Sequence, residues 1–510
     1  QQKSFFHRQP RRKVVIHDNN SPNTGRSSLS SNTGMRPVAA PTASRLWWGK
    51  FVQLGIIAIV LTECVFIIHL HVLNSPFQSV NTSYSNSLIP DHGGSIIGSS
   101  CSEEWLEKMD RVNYTRDFVK QPVLILFGTQ EWSTCAVPCV FHTNDNGPAD
   151  GTFGVRDGVP RIMRSMESSA YYPDHELESA RRKGFAVVMT TSLMSDVPVG
   201  YFSWIEYPVM DPPQPKTKTA LAAAFISNCG AQNGRLRVFN LLQKEGITID
   251  SYGACNQNIA GGRVDKLEAL QKYKFSLAFE NSNVEDYVTE KFFQALVAGS
   301  IPVVVGAPNI EEFAPAPNSY LYIKDENEVK SVAAKMMFLA GNATAYDEAL
   351  RWKYDGPSLS FLALVDMAVV HSSCRLCIHL ATRIHSKEEA SVAPQRPCQC
   401  SHRSGTIHHL YVRERGRFKP ESIFLEESNL TLKGLVEAVL QKFTAIQHEP
   451  IWKGDRPEMI RGDSNLRVYR IYPVGLTQRE ALYSWSFKSD EGFKEIVRQH
   501  PCSNFEVIFV

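Results

Sequence analysis

FSLAFENSNVEDYVTEKFFQALVAGSIPVVVG, residues 275–306, decides the fold. It opens with an apolar run, ending near Phe279, that reads as a buried strand. A polar loop follows, ENSNVEDYVTEK, carrying Glu280, Asn281, Asp286, Tyr287, Glu290 and Lys291. Apolar residues then recur at helical spacing over roughly Val288–Ala298, and a second apolar run, Ile301–Val305, predicts another strand. The unit is strand–loop–helix–strand, with its polar chemistry between the first strand and the helix. In open α/β sheets ligands sit in this position, outside the carboxyl ends of the strands. A helix that starts Thr289-Glu290-Lys291 also offers free N–H groups and an ammonium to a phosphate.

The same alternation continues on both sides. Residues 221–228 predict a strand, RLRVFNLLQKEG (235–246) a helix, TIDSYG (248–253) a short strand, VDKLEALQKY (264–273) a helix and SYLYI (319–323) a further strand. Helices are expected over 326–339 and 345–353, and from Phe361 to about His385. Upstream, 121–128 and 184–190 read as buried parallel strands, separated by Cys135, Cys139, a polar stretch and the helix-like RIMRSMESSAYYPD (161–174). The Pro-rich segment 198–218 breaks the pattern, and its end reads as the hinge between two domains. Alternating strands and helices imply parallel sheets covered on both faces. From about Ser401, segments rich in β-branched and aromatic residues (TIHHLYV, ESIFL, LRVYRIYP, FEVIFV) surround the helix LTLKGLVEAVLQKF, which predicts a small α+β domain.

Length, 510 residues, suggests two to four domains, and 43% hydrophobic with 21% charged residues is ordinary globular composition. A net charge of +2 argues against a general nucleic-acid binder. Residues 1–45 lack hydrophobic periodicity and read as a disordered tail. FVQLGIIAIVLTECVFIIHL, 51–70, is long enough to span a bilayer, although Glu63 inside it is costly. Arg45 and Lys50 flank its N-terminal side and little basic charge follows before Lys108, so the positive-inside rule sends everything after about residue 70 to the lumen. Residues 71–105 are Ser/Asn/Gly-rich and read as a flexible stem. Ten cysteines beyond the span fit disulfides in an oxidising compartment, and sequons at Asn81, Asn113, Asn342 and Asn429 fit as well. Cys398, Cys400, His402, His408 and His409 match no standard zinc spacing; a disulfide, with Cys502 as candidate partner, and solvated histidines are the expectation. Cys374 and Cys377 could form a redox-active pair, but a structural disulfide suits a lumenal protein better.

The string FxLAFENSxxxDYVTEKxxxALxAGxxPVVxG resembles the donor-binding motif of the α1,3-fucosyltransferases of glycosyltransferase family 10, and the similarity extends over about residues 120–380. The resemblance implies GDP-fucose as donor, touched by Asn281, Tyr287, Glu290 and Lys291. It implies the GT-B architecture, two Rossmann-like domains facing a cleft, preceded by one transmembrane helix and a stem and followed by the small α+β domain. The corresponding boundaries are 1–45, 46–70 and 71–105 for tail, signal-anchor and stem, 106–215 and 216–385 for the acceptor and donor domains, 386–405 for a Cys-containing linker and 406–510 for the extension. A short tail, one span, a stem and a lumenal catalytic part are similar to the type II plan of Golgi glycosyltransferases. RSMESSAYY, 164–172, resembles the segment whose Glu is the family's general base, which maps to Glu167, although Ser168-Ser169 departs from the family's usual Ser-Pro. The phosphate-binding Arg maps best to Arg237, with Arg235 the runner-up and more in keeping with a solvated residue. The family carries a similar CxxC after its donor domain.

Inverting fucosyl transfer needs a base for the acceptor hydroxyl, cations or N–H groups for the departing GDP, and a partner for oxocarbenium-like charge on fucose. The chain contains no Asp-x-Asp, so a metal-bridged nucleotide has no support in the sequence. No cofactor is required by this chemistry, and stimulation by Mn²⁺ or Mg²⁺ is left open. Resemblance to plant core enzymes, in FGTQEWSTCAVPC and the last hundred residues, implies O3 of the Asn-linked GlcNAc of an N-glycan as acceptor. The alternatives are a Lewis-type enzyme acting on antennary GlcNAc and a non-catalytic lumenal glycan-binding protein. Intact Glu167, Arg237, Glu290 and Lys291 speak against the latter.

Overall fold

Five short strands build the first lobe: β1 (Val123–Leu126), β2 (Cys139–His142), β3 (Gly151–Thr152), β4 (Arg161–Arg164) and β5 (Phe185–Met189). All pair in parallel, in the order β2-β1-β3-β4-β5. The computed structural model describes residues 101–510 apart from 111, 130–134, 143–146, 204–206, 261–263, 392–396, 403–404, 452–456, 459–465 and 471–488. The tail, the apolar span with Glu63, the stem up to residue 100 and the sequon at Asn81 lie outside the described residues, as do parts of FGTQEWSTCAVPC and LRVYRIYP. Among the described residues no single helix is long and apolar enough to cross a membrane.

One expectation in this lobe is overturned. Residues 161–164, expected in a helix, form β4. Ile162 and Met163 are both buried between two parallel neighbours, where consecutive apolar residues suit a strand covered on both faces. The polar residues after Arg164 therefore form a loop at the carboxyl end of β4, and Glu167 lies on that loop. The helix α1 (Leu177–Arg182) follows, its first-turn N–H groups capped by the Glu176 carboxylate.

The second lobe repeats the plan with β6 (Ala222–Ala224), α2 (Arg235–Lys244), β7 (Ile249–Ser251), α3 (Lys266–Leu270), β8 (Phe275–Phe279), α4 (Glu290–Ala298), β9 (Ile301–Val305) and β10 (Leu321–Tyr322). Its sheet is also parallel, in the order β10-β9-β8-β6-β7. Every residue of β8 and β9 is buried, as their unbroken apolar sequences require. Gly299 ends α4 in the left-handed conformation at φ +64°, and a Cβ there would come within 2.8 Å of Pro213.

After α5 (Val329–Gly341) the chain was expected to run as one helix from Phe361 to about His385. It forms two, α6 (Leu359–Ala368) and α7 (Ser372–Ser391), and these elements are bent by 81° from each other. At the corner the His371 ring accepts from the Ser373 N–H at 3.2 Å, which starts a new helix as an N-cap does. The turn carries Cys374 and Cys377 to the first lobe, where they bond Cys135 and Cys139 respectively. The expected Cys374–Cys377 pair is therefore not formed. Residues three apart on a helix share a face, and both thiols are presented together to the partner segment. One continuous core reinforces these links: Ile125, Val187 and Met189 of the first lobe pack in the same cluster as Phe292, Phe361 and Leu376.

The remaining strands, β11 (Gln399–His402), β12 (Gly405–Glu414), β13 (Glu421–Glu426), β14 (Leu466–Arg470) and β15 (Asn504–Phe509), form a third, mixed sheet. The helices α8 (Leu432–Ala445) and α9 (Asp490–Gln499) share its core through Leu435, Val439 and Phe493. Cys400 bonds Cys101, and Cys398 bonds Cys502. His408 and His409, expected to be solvated, are buried, because β12 is central and its last eight residues are all covered. His408 meets Glu427 at 2.5 Å and His409 meets Ser422 at 2.8 Å.

Replacing Cys135, Cys139, Cys374 and Cys377 together by Ser is expected to lower stability by about 2–5 kcal/mol, because the two bonds close nearly the same loop, with sequence separations of 239 and 238 residues. Thermal unfolding of the oxidised parent and the variant measures this. An unchanged midpoint in this variant, which lacks both bonds, would show that packing alone holds α7 to the first lobe.

Candidate active site

The site is built on the turn between β8 and α4. Glu280 leaves the end of β8 with only 2% of its surface exposed. A buried carboxylate is costly unless it is paired and hydrogen-bonded. Here the chain folds back to satisfy it. The Thr289 N–H and hydroxyl both donate to Glu280 at 2.8 Å, and the Lys291 ammonium lies 3.1 Å from it. Gly306, at the end of β9, leaves room for this carboxylate: a Cβ would stand 2.9 Å from Glu280 Cγ. Thr289 also caps α4, and Lys291 Nζ donates to its hydroxyl at 2.8 Å.

Around this pair the predicted donor residues come together. Glu290 lies 3.2 Å from Lys291, and Lys266 of α3 approaches Glu290 at 3.9 Å. Burial works to lower the Lys291 pKa, but Glu280 and Glu290 outweigh it and hold the ammonium above its ordinary value. Burial works to raise Glu290, but Lys291 and Lys266 hold it below the usual carboxylate value of 4.5. Tyr287 is buried, and the Asn281 amide lies against its hydroxyl. Burial, then Glu280, Glu167 and Glu290, push the Tyr287 phenol up, so it stays a protonated donor. Asn281 Oδ1 is buried with no hydrogen-bond partner among the described residues.

The first lobe closes on this turn. Asp286, at φ +65°, is 3% exposed and accepts the Leu193 N–H at 2.9 Å and the Ser192 hydroxyl at 3.3 Å. Ser282 and Ser168 hydroxyls meet at 2.5 Å, and the Tyr171 hydroxyl donates to the Asn281 carbonyl at 3.1 Å. Glu167, exposed on the β4 loop, is close enough to act electrostatically on Tyr287 and on Tyr201.

Arg237 and Arg235 exchange their expected environments. Arg237, the mapped phosphate ligand, has a side chain 72% exposed and ion-paired with Glu326, and among the described residues it makes no ion pair with the Glu280–Lys291 cluster. Arg235, expected to be solvated, is buried. It donates to the Phe279 carbonyl at 2.9 Å and the Asn228 carbonyl at 2.6 Å. The reason is position: Arg235 opens α2 directly behind the end of β8, while Arg237 is two residues further round the helix. Sequence reasoning missed Tyr201, whose hydroxyl donates to the Met166 carbonyl at 2.6 Å behind Glu167, and Lys266. Tyr201 had a local signal in the aromatic YFSW, but Lys266, on a separate element, had none.

Residues 215–394 match the profile of Glycosyltransferase family 10 (fucosyltransferase) C-term. A fucosyltransferase-like protein of Arabidopsis thaliana is 55% identical over 421 residues, covering 82% of this chain and 82% of the relative. Glycoprotein 3-alpha-L-fucosyltransferase A of Drosophila melanogaster is 38% identical over 177 residues, 34% of this chain and 32% of the relative. The human 4-galactosyl-N-acetylglucosaminide 3-alpha-L-fucosyltransferase FUT6 is 34% identical over 205 residues, 39% of this chain and 55% of the relative. Among solved structures, an alpha1,3-fucosyltransferase with GDP aligns at 16% identity and TM-score 0.36 over 55% of this chain and 95% of that chain.

Glu280→Ala is expected to cost about 3 kcal/mol or more, because it removes the nearest carboxylate of the buried Lys291 ammonium and leaves the Thr289 N–H without its acceptor. Chemical unfolding measures it, and a loss within 0.5 kcal/mol, about the scatter of a surface substitution, would show that the carboxylate does not organise the turn. Since the folded pKa of Glu290 is depressed, its contribution is present above about pH 4.5 and lost as pH falls through the lowered value. Glu290→Gln should flatten that acid limb of the stability profile.

Proposed function

We propose, since this chain belongs to glycosyltransferase family 10, the fucosyltransferases, that it moves L-fucose with inversion from GDP-β-L-fucose to O3 of the Asn-linked GlcNAc of N-glycan cores. One observation carries the reading. The turn bearing Asn281, Tyr287, Glu290 and Lys291 on one lobe faces a loop bearing Glu167 on the other. In this reading the donor site and the base come from opposite sides of the lobe junction, which suits a GT-B arrangement.

In this reading Glu167 takes the proton from the acceptor hydroxyl. Its exposure suits a group that must meet an incoming glycan. The Lys291 ammonium, kept charged by Glu280 and Glu290, meets the diphosphate as it departs. The start of α2 adds to this, because Gly234 caps it with no side chain and leaves first-turn N–H groups to an anion. Arg237 sits in that turn and joins the diphosphate by leaving Glu326. Glu290, held ionised, stabilises positive charge developing on fucose, while the Tyr287 hydroxyl and the Asn281 amide hold its hydroxyls or phosphate. These groups need no cofactor, and a stimulating Mn²⁺ or Mg²⁺ is compatible with them. The apolar stretch 51–70 and five disulfides support a single-pass type II protein of the Golgi membrane with its catalytic part in the lumen.

The core acceptor is supported by the fly relative, whose name specifies a glycoprotein 3-fucosyltransferase. The human relative, named for a galactosyl-N-acetylglucosaminide, favours the antennary alternative. A transfer assay with GDP-fucose, a GlcNAc-terminated biantennary glycopeptide and a Lewis-type disaccharide separates them. Mass gain on the innermost GlcNAc is expected, and transfer to the disaccharide alone would move the reading to the antennary class. Binding of GDP and glycan with no turnover on either acceptor would leave a glycan-binding protein.

Glu167→Gln is expected to keep GDP affinity and lose transfer by roughly 10²-fold or more. Surviving turnover would place the base elsewhere. Lys291→Ala is expected to weaken GDP binding roughly tenfold or more, read by calorimetry. Unchanged affinity would remove Lys291 from the diphosphate.

A further inference from the structure

Between the loop that follows β5 in the first lobe, the α6–α7 corner and the C-terminal sheet lies a cavity of about 60 Å³. Its charged or titratable lining is Asp196, Arg375, His379, Arg413, Arg415 and Glu506. None of these belongs to the donor turn or to the β4 loop.

Among the described residues that line it, positive charge exceeds negative. Glu506 is shared by two guanidiniums, Arg413 at 2.8 Å and Arg415 at 2.9 Å. Asp196 is already engaged by Arg181 at 2.5 Å and by the Val188 N–H at 2.7 Å. Burial pushes His379 down to about 4, so near neutral pH it brings no charge. That leaves Arg375. Its guanidinium donates only to carbonyls, Val370 at 3.0 Å and Pro198 at 2.5 Å, and makes no ion pair among the described residues. Burial, then Arg415 and Arg164 nearby, push its pKa down to about 10, against only a partial pull upward from Glu506. Arg413 and Arg415 beside it have the Glu506 carboxylate; this one has carbonyl dipoles and a polar cavity. A largely desolvated cation with no carboxylate in contact is costly, and a cavity fringed by guanidinium forks is the chemistry that recognises oxyanions. Size agrees: one water needs about 10–15 Å³ on this measure, so the cavity takes roughly four to six water-sized groups, close to a tetrahedral oxyanion. Arg375 and Gly416 keep some accessible surface, so the cavity is not sealed.

We propose that this cavity binds a small tetrahedral oxyanion of the phosphate class, gripped by Arg375 together with Arg413 and Arg415, and that the anion fastens the C-terminal sheet to the first lobe and to the α6–α7 corner. The site is independent of the fucosyl-transfer reading. Its ligand completes a charge set drawn from three parts of the fold that are far apart in sequence.

Calorimetry of the purified chain with inorganic phosphate, against sodium chloride at matched ionic strength and with saturating GDP present, tests it. A one-site saturable isotherm is expected, with a phosphate-dependent rise in Tm that chloride does not reproduce. Arg375→Met is expected to weaken phosphate binding roughly tenfold or more. Arg375→Lys, which keeps the charge but loses the fork, should weaken it less, and serves if the Met variant does not fold. No saturable heat in the parent chain, phosphate binding abolished by GDP, or parent-like affinity in either folded variant that has lost the fork would overturn the proposal.

Discussion

The buried carboxylate of Glu280 organises this molecule. Placed at the end of a central parallel strand, away from water, it needs a cation and hydrogen-bond donors, and the loop 281–291 supplies them by folding back on the strand end. That return sets where α4 starts and which way Lys291 points. It also holds Glu290 beside Lys291 and keeps the hydrogen-bonded Asn281 and Tyr287 in the same turn. Gly306 is small for the same reason, since the neighbouring strand must end without a side chain where Glu280 lies. Arg235 closes the set from behind, its guanidinium spent on the last carbonyl of β8 and not on solvent.

The second constraint is that the two parallel-sheet lobes act as one body. Asp286 holds a main-chain N–H of the first lobe, serine hydroxyls meet across the junction, and two disulfides bring the helix after the donor lobe back onto the first sheet. Each link is modest in isolation; a neutral hydrogen bond contributes about 1 kcal/mol. Together with a shared apolar core they fix the β4 loop opposite the β8–α4 turn. Transfer chemistry depends on such fixing, because a base and a leaving-group partner that move independently lose most of the benefit of proximity.

Residues whose role depends on local pattern were legible before any coordinates. The strands at 275–279 and 301–305, and the helix between them, follow from unbroken apolar runs and helical spacing, and the resemblance of ENSNVEDYVTEK carries the family with it. Where pattern and environment diverged, reading failed. Residues 161–164 look helical because the polar residues beyond them continue a 3.6-residue rhythm, yet Ile162 and Met163 belong to a strand covered on both faces. Arg235 and Arg237 are indistinguishable in sequence; only the direction in which α2 leaves β6 buries one and exposes the other.

The sequence by itself determined the family, the two parallel α/β lobes and the polar composition of the turn after β8, because each rests on short-range periodicity or on one unbroken string. Tertiary structure alone decided the partners. Cys374 and Cys377 bond Cys135 and Cys139 and not each other, Tyr201 and Lys266 join the site, and Arg375 meets Arg413 and Arg415 around a single cavity. These pairings span separations such as 239 and 238 residues for the two disulfides, and no local propensity encodes them. They follow from an 81° corner between two helices and from the parallel register of sheets whose strands lie far apart in the chain.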